Sequence, residues 1–197
     1  FLPILNELGL SAIFFLNNDF IDGKNIFDRA YLSAVMVRSA NELELKKDLF
    51  KILENNAIDT NKKLIDLRDK IFKSDVFSRE LRHRLRNEIG DLELDSIYMS
   101  TEQIKILLDK RQFIGAHSIN HKNLGKLPES EQSEEILKSI QDLKARFNLN
   151  YSFFAFPFTD HGVSQKAIED VLKEVPDAVF FGTAGYYKNH DNYLQRI

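Results

Sequence analysis

Short, largely apolar runs alternate with amphipathic helical patterns along this chain, and this alternation restricts the possible folds more than any other feature. Runs of this kind predict strands that are buried on both faces, as in a parallel sheet covered by helices. They occupy residues 12–16, 113–116, 151–156 and 178–181. Because parallel strands need helical crossovers between them, the sequence predicts an α/β fold built on a parallel sheet or a βα barrel.

The helices between these runs have recognisable ends and faces. Ser100 and Gln103 have the spacing of a capping box, which predicts that a helix begins at the next residue. Ser164 occupies a similar capping position further along the chain. The apolar face of the intervening helix is predicted from side chains that recur at helical spacing, namely Ile136, Ile140, Leu143 and Phe147.

Residues 41–95 differ from the rest of the chain in composition. Of these 55 residues 25 are charged, none is proline and Gly90 is the one glycine. Leu81, Leu85 and Ile89 recur every four residues, which is typical of an amphipathic helix. The pattern predicts a charged helical insertion of two to four helices, packed on one side of the main fold within a domain of residues 1–197.

The composition argues against several classes of function. A net charge of −3 argues against nucleic acid as the main partner, because phosphate binding needs an excess of Lys and Arg. The chain has no Cys, so a metal site would use His, Asp and Glu. Its apolar stretches are too short to span a bilayer. Phe1 is not a natural start residue, so we expect a longer protein, and the sequence leaves open its oligomeric state and whether it acts in the cell envelope or the cytoplasm.

Two histidines follow the second predicted strand. Residues 113–121 are FIGAHSINH, so the strand ends at His117 and the next four residues must turn before His121. Both imidazoles are therefore expected to converge at the carboxyl-terminal rim of the sheet. Neutral imidazole is a common ligand for Zn²⁺ and similar ions. The spacing alone leaves two alternatives open, a metal-ligand pair or two rim histidines that hydrogen-bond to loop carbonyls.

The same segment resembles a motif of a known family. Residues 113–124 (FIGAHSINHKNL) are similar to the second motif of the polysaccharide deacetylases of carbohydrate esterase family 4, in which a strand leads into Gly-x-His-[Ser/Thr]-x-x-His. Residues 3–15 (PILNELGLSAIFF) resemble the family's helix and second strand. Residues 154–158 (FAFPF) are similar to the third motif, and residues 196–197 to the last strand of one branch.

The resemblance covers about residues 1–23 and 98–197, and it implies a fold, an activity and a site. The implied fold is an incomplete or distorted (β/α) barrel that carries the charged insertion. The implied activity is metal-dependent removal of acetyl groups from an N- or O-acetylated polysaccharide, with a divalent ion, expected to be Zn²⁺, as cofactor and a glycan as substrate. His117 and His121 would be the two histidine ligands. Pro157 and Phe158 would bind substrate, and the family uses the N–H at position 158 to hold the carbonyl oxygen as it becomes an oxyanion.

The chain departs from the family pattern at three places. The family's Asp ligand and its Asp base lie in a first strand upstream of the opening helix, and this sequence contains no Asp-Asp pair. Ala155 stands where many relatives carry an Arg, and the late Leu-x-His triplet is missing. The resemblance therefore assigns no catalytic acid or base, although His161 and His190, expected in loops, could approach the site. The alternative to a deacetylase is a non-catalytic carbohydrate-binding or scaffolding relative whose helical insertion is the working part.

Overall fold

The structure is a computed structural model of the 197-residue chain, and it describes residues 1–55, 60, 87, 97–183, 188–190 and 192–195. The chain divides into two compact units. One unit comprises Phe1–Asn25 and Ser96–Ile197, and the other comprises Ile26–Asp95. The candidate site residues all belong to the first unit.

The first unit is built on a mainly parallel sheet. Its described strands are β1 (Ile13–Leu16), β2 (Phe113–Ala116), β3 (Ser152–Ala155), β4 (Ala178–Gly182), β5 (Lys188–His190) and β6 (Tyr193–Gln195). Their order across the sheet is β1-β2-β3-β4-β6-β5, and only the β5–β6 pair is antiparallel among the described strands. The predicted α/β class with a parallel sheet is confirmed. The third strand, β3, is one residue shorter at each end than the predicted run of residues 151–156.

Six helices are described in the two units. They are α1 (Leu2–Glu7), α2 (Asp28–Asn41), α3 (Leu43–Asn55), α4 (Thr101–Asp109), α5 (Glu129–Phe147) and α6 (Gln165–Glu174). Short 3-10 segments cover Asn18–Gly23 and Leu124–Lys126. The two predicted caps are confirmed, because the Ser100 hydroxyl accepts from the Gln103 N–H and the Ser164 hydroxyl accepts from the Ala167 N–H.

The two faces of the sheet differ in burial. Ile114, Phe154 and Phe180 are fully buried on one face, where they pack with apolar side chains of α5 and α6. The opposite face carries half-buried rings, and the Phe181 ring lies 5.2 Å from that of Phe15 and 5.9 Å from that of Phe153. The alternation along each strand thus produces one helix-covered face and one aromatic face.

The predicted barrel stays a prediction. A barrel requires its first and last strands to pair. Among the described residues β1 pairs with β2 alone and β5 with β6 alone, so the described sheet is open. In the same part of the chain, no helix has both the length and the apolar character needed to cross a membrane.

The second unit contains α2 and α3. Their buried side chains include Leu32 and Val35 on α2 and Leu49 and Leu53 on α3. The predicted insertion over residues 41–95 falls largely outside the described residues, so its extent and its helices beyond α3 remain predictions.

Candidate functional site

The parallel strands place the segment that leads to the two histidines. β2 lies between β1 and β3, and the N–H of His117 donates to the carbonyl of Leu16 at 2.9 Å. Gly115 faces the ring of Phe15, and a Cβ at position 115 would lie 2.6 Å from its Cε1 atom. This close approach explains why a glycine precedes His117 by two positions.

The imidazole of His117 is oriented by β3. Its Nδ1 atom lies 2.7 Å from the carbonyl oxygen of Ala155, the last residue of that strand. Because a carbonyl oxygen can only accept, Nδ1 carries a proton, and in the neutral imidazole Nε2 then has the lone pair. This is the tautomer whose Nε2 can bind a metal, and a carbonyl acceptor on the other nitrogen is typical of ligand histidines.

His121 and Phe158 complete a cluster of rings with His117. The centroids of the two imidazoles are 4.9 Å apart, with their planes at 76°. The Phe158 ring lies 4.6 Å from the His121 ring at 82°, and the Phe158 side chain is about half exposed. The structure therefore brings together three of the four residues predicted for the site, from loops that are more than 30 residues apart in the sequence.

The backbone of this cluster is strained at three positions. Ser118, His121 and Phe158 have φ angles of 64°, 62° and 58°. Residues other than glycine rarely adopt such left-handed conformations, which persist where the surrounding structure holds them. Strain of this kind concentrates at ligand-binding and catalytic sites, so it supports a functional reading of the cluster.

The carboxylate of Glu135 on α5 holds the loop between the two histidines. Its Oε1 atom accepts from the Ile119 N–H at 2.9 Å, and its Oε2 atom lies 3.1 Å from Lys122 Nζ. Glu135 is only 8% exposed. The sequence analysis missed this residue, although a polar position directly beside the apolar stripe of a predicted helix was a usable signal.

The residues that follow β1 hold the same loop from the other side. The Asn17 amide donates to the carbonyls of His117 and Ser118. The N–H of Asp19 donates to the carbonyl of Ile119 at 3.0 Å. Loops at the carboxyl ends of two neighbouring strands thus support each other, as expected at the ligand-binding edge of a parallel sheet.

Asp19 lies in an acidic environment. Burial, and then the negative charges of Glu135 and Asp142, raise the pKa of Asp19 above its ordinary value. The carboxyl group therefore keeps its proton to a higher pH than an exposed Asp would.

An open cavity of about 480 Å³ lies beside the histidine loop. Its lining includes Asn120 and Lys122 from the loop and the acidic side chains of Glu131 and Glu134 on α5. Such a polar surface can hydrogen-bond to many hydroxyl groups at once.

Comparison with known families decides the classification. The family model described as polysaccharide deacetylase matches residues 1–176. The chain belongs to the polysaccharide deacetylase family. The search of curated proteins found no match to this chain.

Two solved structures are similar to the chain at low sequence identity. The structure of IcaB from Ammonifex degensii is 19% identical, with a TM-score of 0.40 and coverage of 51% of this chain and 47% of that chain. The Streptococcus pyogenes deacetylase PplD in complex with acetate is 15% identical, with a TM-score of 0.43 and coverage of 95% and 88%. The aligned part thus spans about half the length of IcaB.

The cluster of rings contains two side chains of a type that can bind a metal ion, His117 and His121. His117 and His121 are adjacent, but the described part of the chain contains no group of three or more His, Asp or Glu side chains that could hold a metal ion. The donor type suits a divalent ion such as Zn²⁺, whereas a catalytic zinc site normally has three protein ligands. The pair therefore fits part of a metal site.

The remaining predicted residues have different positions. Pro157 is buried two residues after the end of β3, and its part in substrate binding stays a prediction. His161 is exposed in the following loop. The expectation that His190 lies in a loop was wrong, because this residue ends β5, which pairs with β6.

Proposed function

We propose that this chain removes acetyl groups from an N- or O-acetylated polysaccharide and that a divalent metal, held by His117 and His121, assists the reaction. Membership of the polysaccharide deacetylase family supports a glycan deacetylase. The observation that carries the metal part of the proposal is the adjacency of the two imidazoles, 4.9 Å between centroids, with Nδ1 of His117 tied to the Ala155 carbonyl.

The metal would be held by the Nε2 atom of His117 together with the imidazole of His121. The chemistry that a bound divalent ion supplies is polarisation of the acetyl carbonyl and activation of a water molecule. The family resemblance implies an Asp as third ligand, upstream of the opening helix. With two donors in the described residues, we expect weak Zn²⁺ binding by the 197-residue chain.

The residues of the chain orient the reacting groups. The Ala155 carbonyl fixes the tautomer of His117, and Glu135 and Asn17 fix the loop that carries both imidazoles. The half-exposed Phe158 ring provides a surface on which one face of a sugar can pack. Its backbone N–H is the expected donor to the acetyl oxygen as negative charge develops there. The polar cavity beside the loop gives room for neighbouring sugars.

Acetate release from two probes tests the activity. Chitin oligosaccharides carry N-acetyl groups and acetylated xylan carries O-acetyl groups. We expect release from one of them in the presence of Zn²⁺, with loss of activity when a chelator is added. Replacing His117 or His121 by Ala should lower the rate by about 100-fold or more, because each removes a metal ligand. His161→Ala is the matched control, since this histidine is exposed in a nearby loop, and it should keep the wild-type rate.

Titration calorimetry with Zn²⁺ tests the metal site separately from the reaction. Wild-type protein and His161→Ala should bind the ion equally well, whereas His117→Ala should bind it at least about tenfold more weakly. Equal affinities for all three proteins would make the histidines structural. Sugar binding without acetate release at any metal concentration would instead favour the non-catalytic alternative.

A further inference from the structure

The turn after β3 is fastened to the sheet by one carboxylate. Asp160 Oδ1 accepts from the Thr183 hydroxyl at 2.8 Å and from the Thr183 N–H at 3.2 Å. Asp160 Oδ2 accepts from the Tyr193 hydroxyl at 2.9 Å and from Gln195 Nε2 at 3.1 Å. Four neutral donors from the ends of β4 and β6 thus converge on a single side chain.

The neighbouring strand is shaped to admit this carboxylate. A Cβ at position 182 would lie 2.5 Å from Asp160 Oδ2 and 2.3 Å from Gln195 Oε1, so a side chain there would displace these groups from their present positions. Burial alone would raise the pKa of Asp160, but hydrogen bonds from Gln195, Thr183 and Tyr193 outweigh it and hold the pKa below its ordinary value. The group is therefore a carboxylate at neutral pH, which is the form that accepts all four bonds.

Phe158 depends on this turn for its position. It lies two residues before Asp160 and has a φ angle of 58°, a conformation that needs support from its surroundings. The Thr159 N–H donates to the Pro157 carbonyl at 2.6 Å, and the Thr183 hydroxyl lies 3.4 Å from the Thr159 hydroxyl. The same segment of chain that holds Asp160 therefore also limits the freedom of the Phe158 backbone.

We infer that Asp160 is a positioning residue: by fastening the turn to β4 and β6 it holds the Phe158 ring against His121 and so fixes the surface on which the reacting sugar packs. The sugar-binding part of this inference rests on the proposed deacetylase function. The part that concerns the ring does not, because it describes the protein without substrate or metal.

Fluorescence tests the ring position without any activity. The chain contains no Trp, so Phe158→Trp introduces a single indole as reporter. Adding Asp160→Asn turns one accepting oxygen into a donor, and we expect lower anisotropy and red-shifted emission as the turn loosens. Adding Asp170→Asn instead, at a partly exposed carboxylate on α6 that pairs with Lys166 and Lys173, should leave both values unchanged.

A milder substitution covers the case in which Asp160→Asn does not fold. Tyr193→Phe removes one of the four donors and keeps the ring, so it should shift the anisotropy in the same direction by a smaller amount. Unchanged anisotropy and emission in a folded Asp160→Asn protein, with or without a lower melting temperature, would overturn the inference.

Steady-state kinetics on the acetylated probe test the consequence for substrate. Phe158→Ala and Asp160→Asn should each raise KM by about tenfold, as expected for loss of one aromatic contact with a sugar, while kcat changes by less than about threefold. The double variant should have the KM of Phe158→Ala alone, because both changes remove the same contact. If the KM of the double variant instead rises by the product of the two single increases, Asp160 acts independently of Phe158. If no variant and no wild-type protein releases acetate, the deacetylase proposal fails and the fluorescence result alone decides the role of Asp160.

Discussion

Gly115 and Phe15 show how single residues set the geometry of the site. The Phe15 ring lies over the glycine and also packs against Phe181. An added Cβ would meet ring carbons at 2.6 Å and 2.7 Å, below any normal contact distance. A glycine in the family motif is thus explained here by a side chain on the neighbouring strand.

Replacing Gly115 by Ala should destabilise the protein through this contact. We expect the free energy of unfolding to fall by about 1–3 kcal/mol, the usual cost of overpacking, measured by urea denaturation. In a Phe15→Leu background the same change should cost clearly less. Gly9→Ala serves as control, since a Cβ at position 9 would have no atom within 4 Å, and its cost should be the same in both backgrounds. If Gly115→Ala costs as much in the Phe15→Leu background as in the wild type, the steric explanation is wrong.

At the scale of elements, Asp22 joins three parts of the first unit. Its carboxylate accepts from the Thr101 N–H and, at 2.8 Å, from the Thr101 hydroxyl, and it pairs with Arg146 of α5. The hydrogen bonds from the Thr101 backbone and side chain, followed by the charge of Arg146, lower the pKa of Asp22 below its ordinary value of 3.8. The start of α4 is thereby tied to the 3-10 segment that follows β1.

This lowered pKa predicts the direction of a pH effect on stability. Folding favours the carboxylate form, so the contribution of Asp22 is fully present above its ordinary pKa and is lost as the pH falls through its lower folded value. The urea midpoint of the wild type should therefore drop more between about pH 6 and about pH 3 than that of Asp22→Asn. Asp109→Asn, an exposed change at the end of α4, should follow the wild type. If the urea midpoint of Asp22→Asn falls with pH as steeply as that of the wild type, Asp22 is not the source of this pH dependence.

Local patterns in the sequence predicted the elements better than the contacts between them. The capping box at Ser100, the cap at Ser164 and the apolar runs predicted the starts of α4 and α6 and the first four strands to within about two residues, because those signals are local. Phe158 was expected at the site from the resemblance of residues 154–158 to the third family motif, and its ring lies 4.6 Å from that of His121. Asp160 could not be predicted, since its partners come from distant segments and hydrogen bonds of that kind leave no periodic trace in the sequence. Glu135 was missed although its polar position beside the predicted apolar stripe of α5 was a signal, because that signal does not identify its partners.

At the scale of the whole molecule, the division into two units has a direct test. Residues 26–95 form one unit, and Asp22 and Thr101, on either side of it in the sequence, are hydrogen-bonded to each other. We expect that replacing residues 26–95 with a short Gly-Ser bridge leaves the α/β unit folded. Circular dichroism should show a cooperative thermal transition of the shortened chain. A gradual transition would indicate that the removed segment contributes to the core of the first unit.

The pairing of β1 with β2 also has a consequence for how the protein folds. Phe14 pairs with Ile114, 100 positions away, whereas Ala116 pairs with Phe154 only 38 positions away. Closing the longer loop costs about 1 kcal/mol more in chain entropy, so β2 and β3 should associate before β1 joins them. In pulsed hydrogen exchange, amides of β2 and β3 should become protected before those of β1, and simultaneous protection would contradict this order. Asn17 arrives with β1, so the backbone of the histidine loop would acquire its final geometry only in the last step of folding.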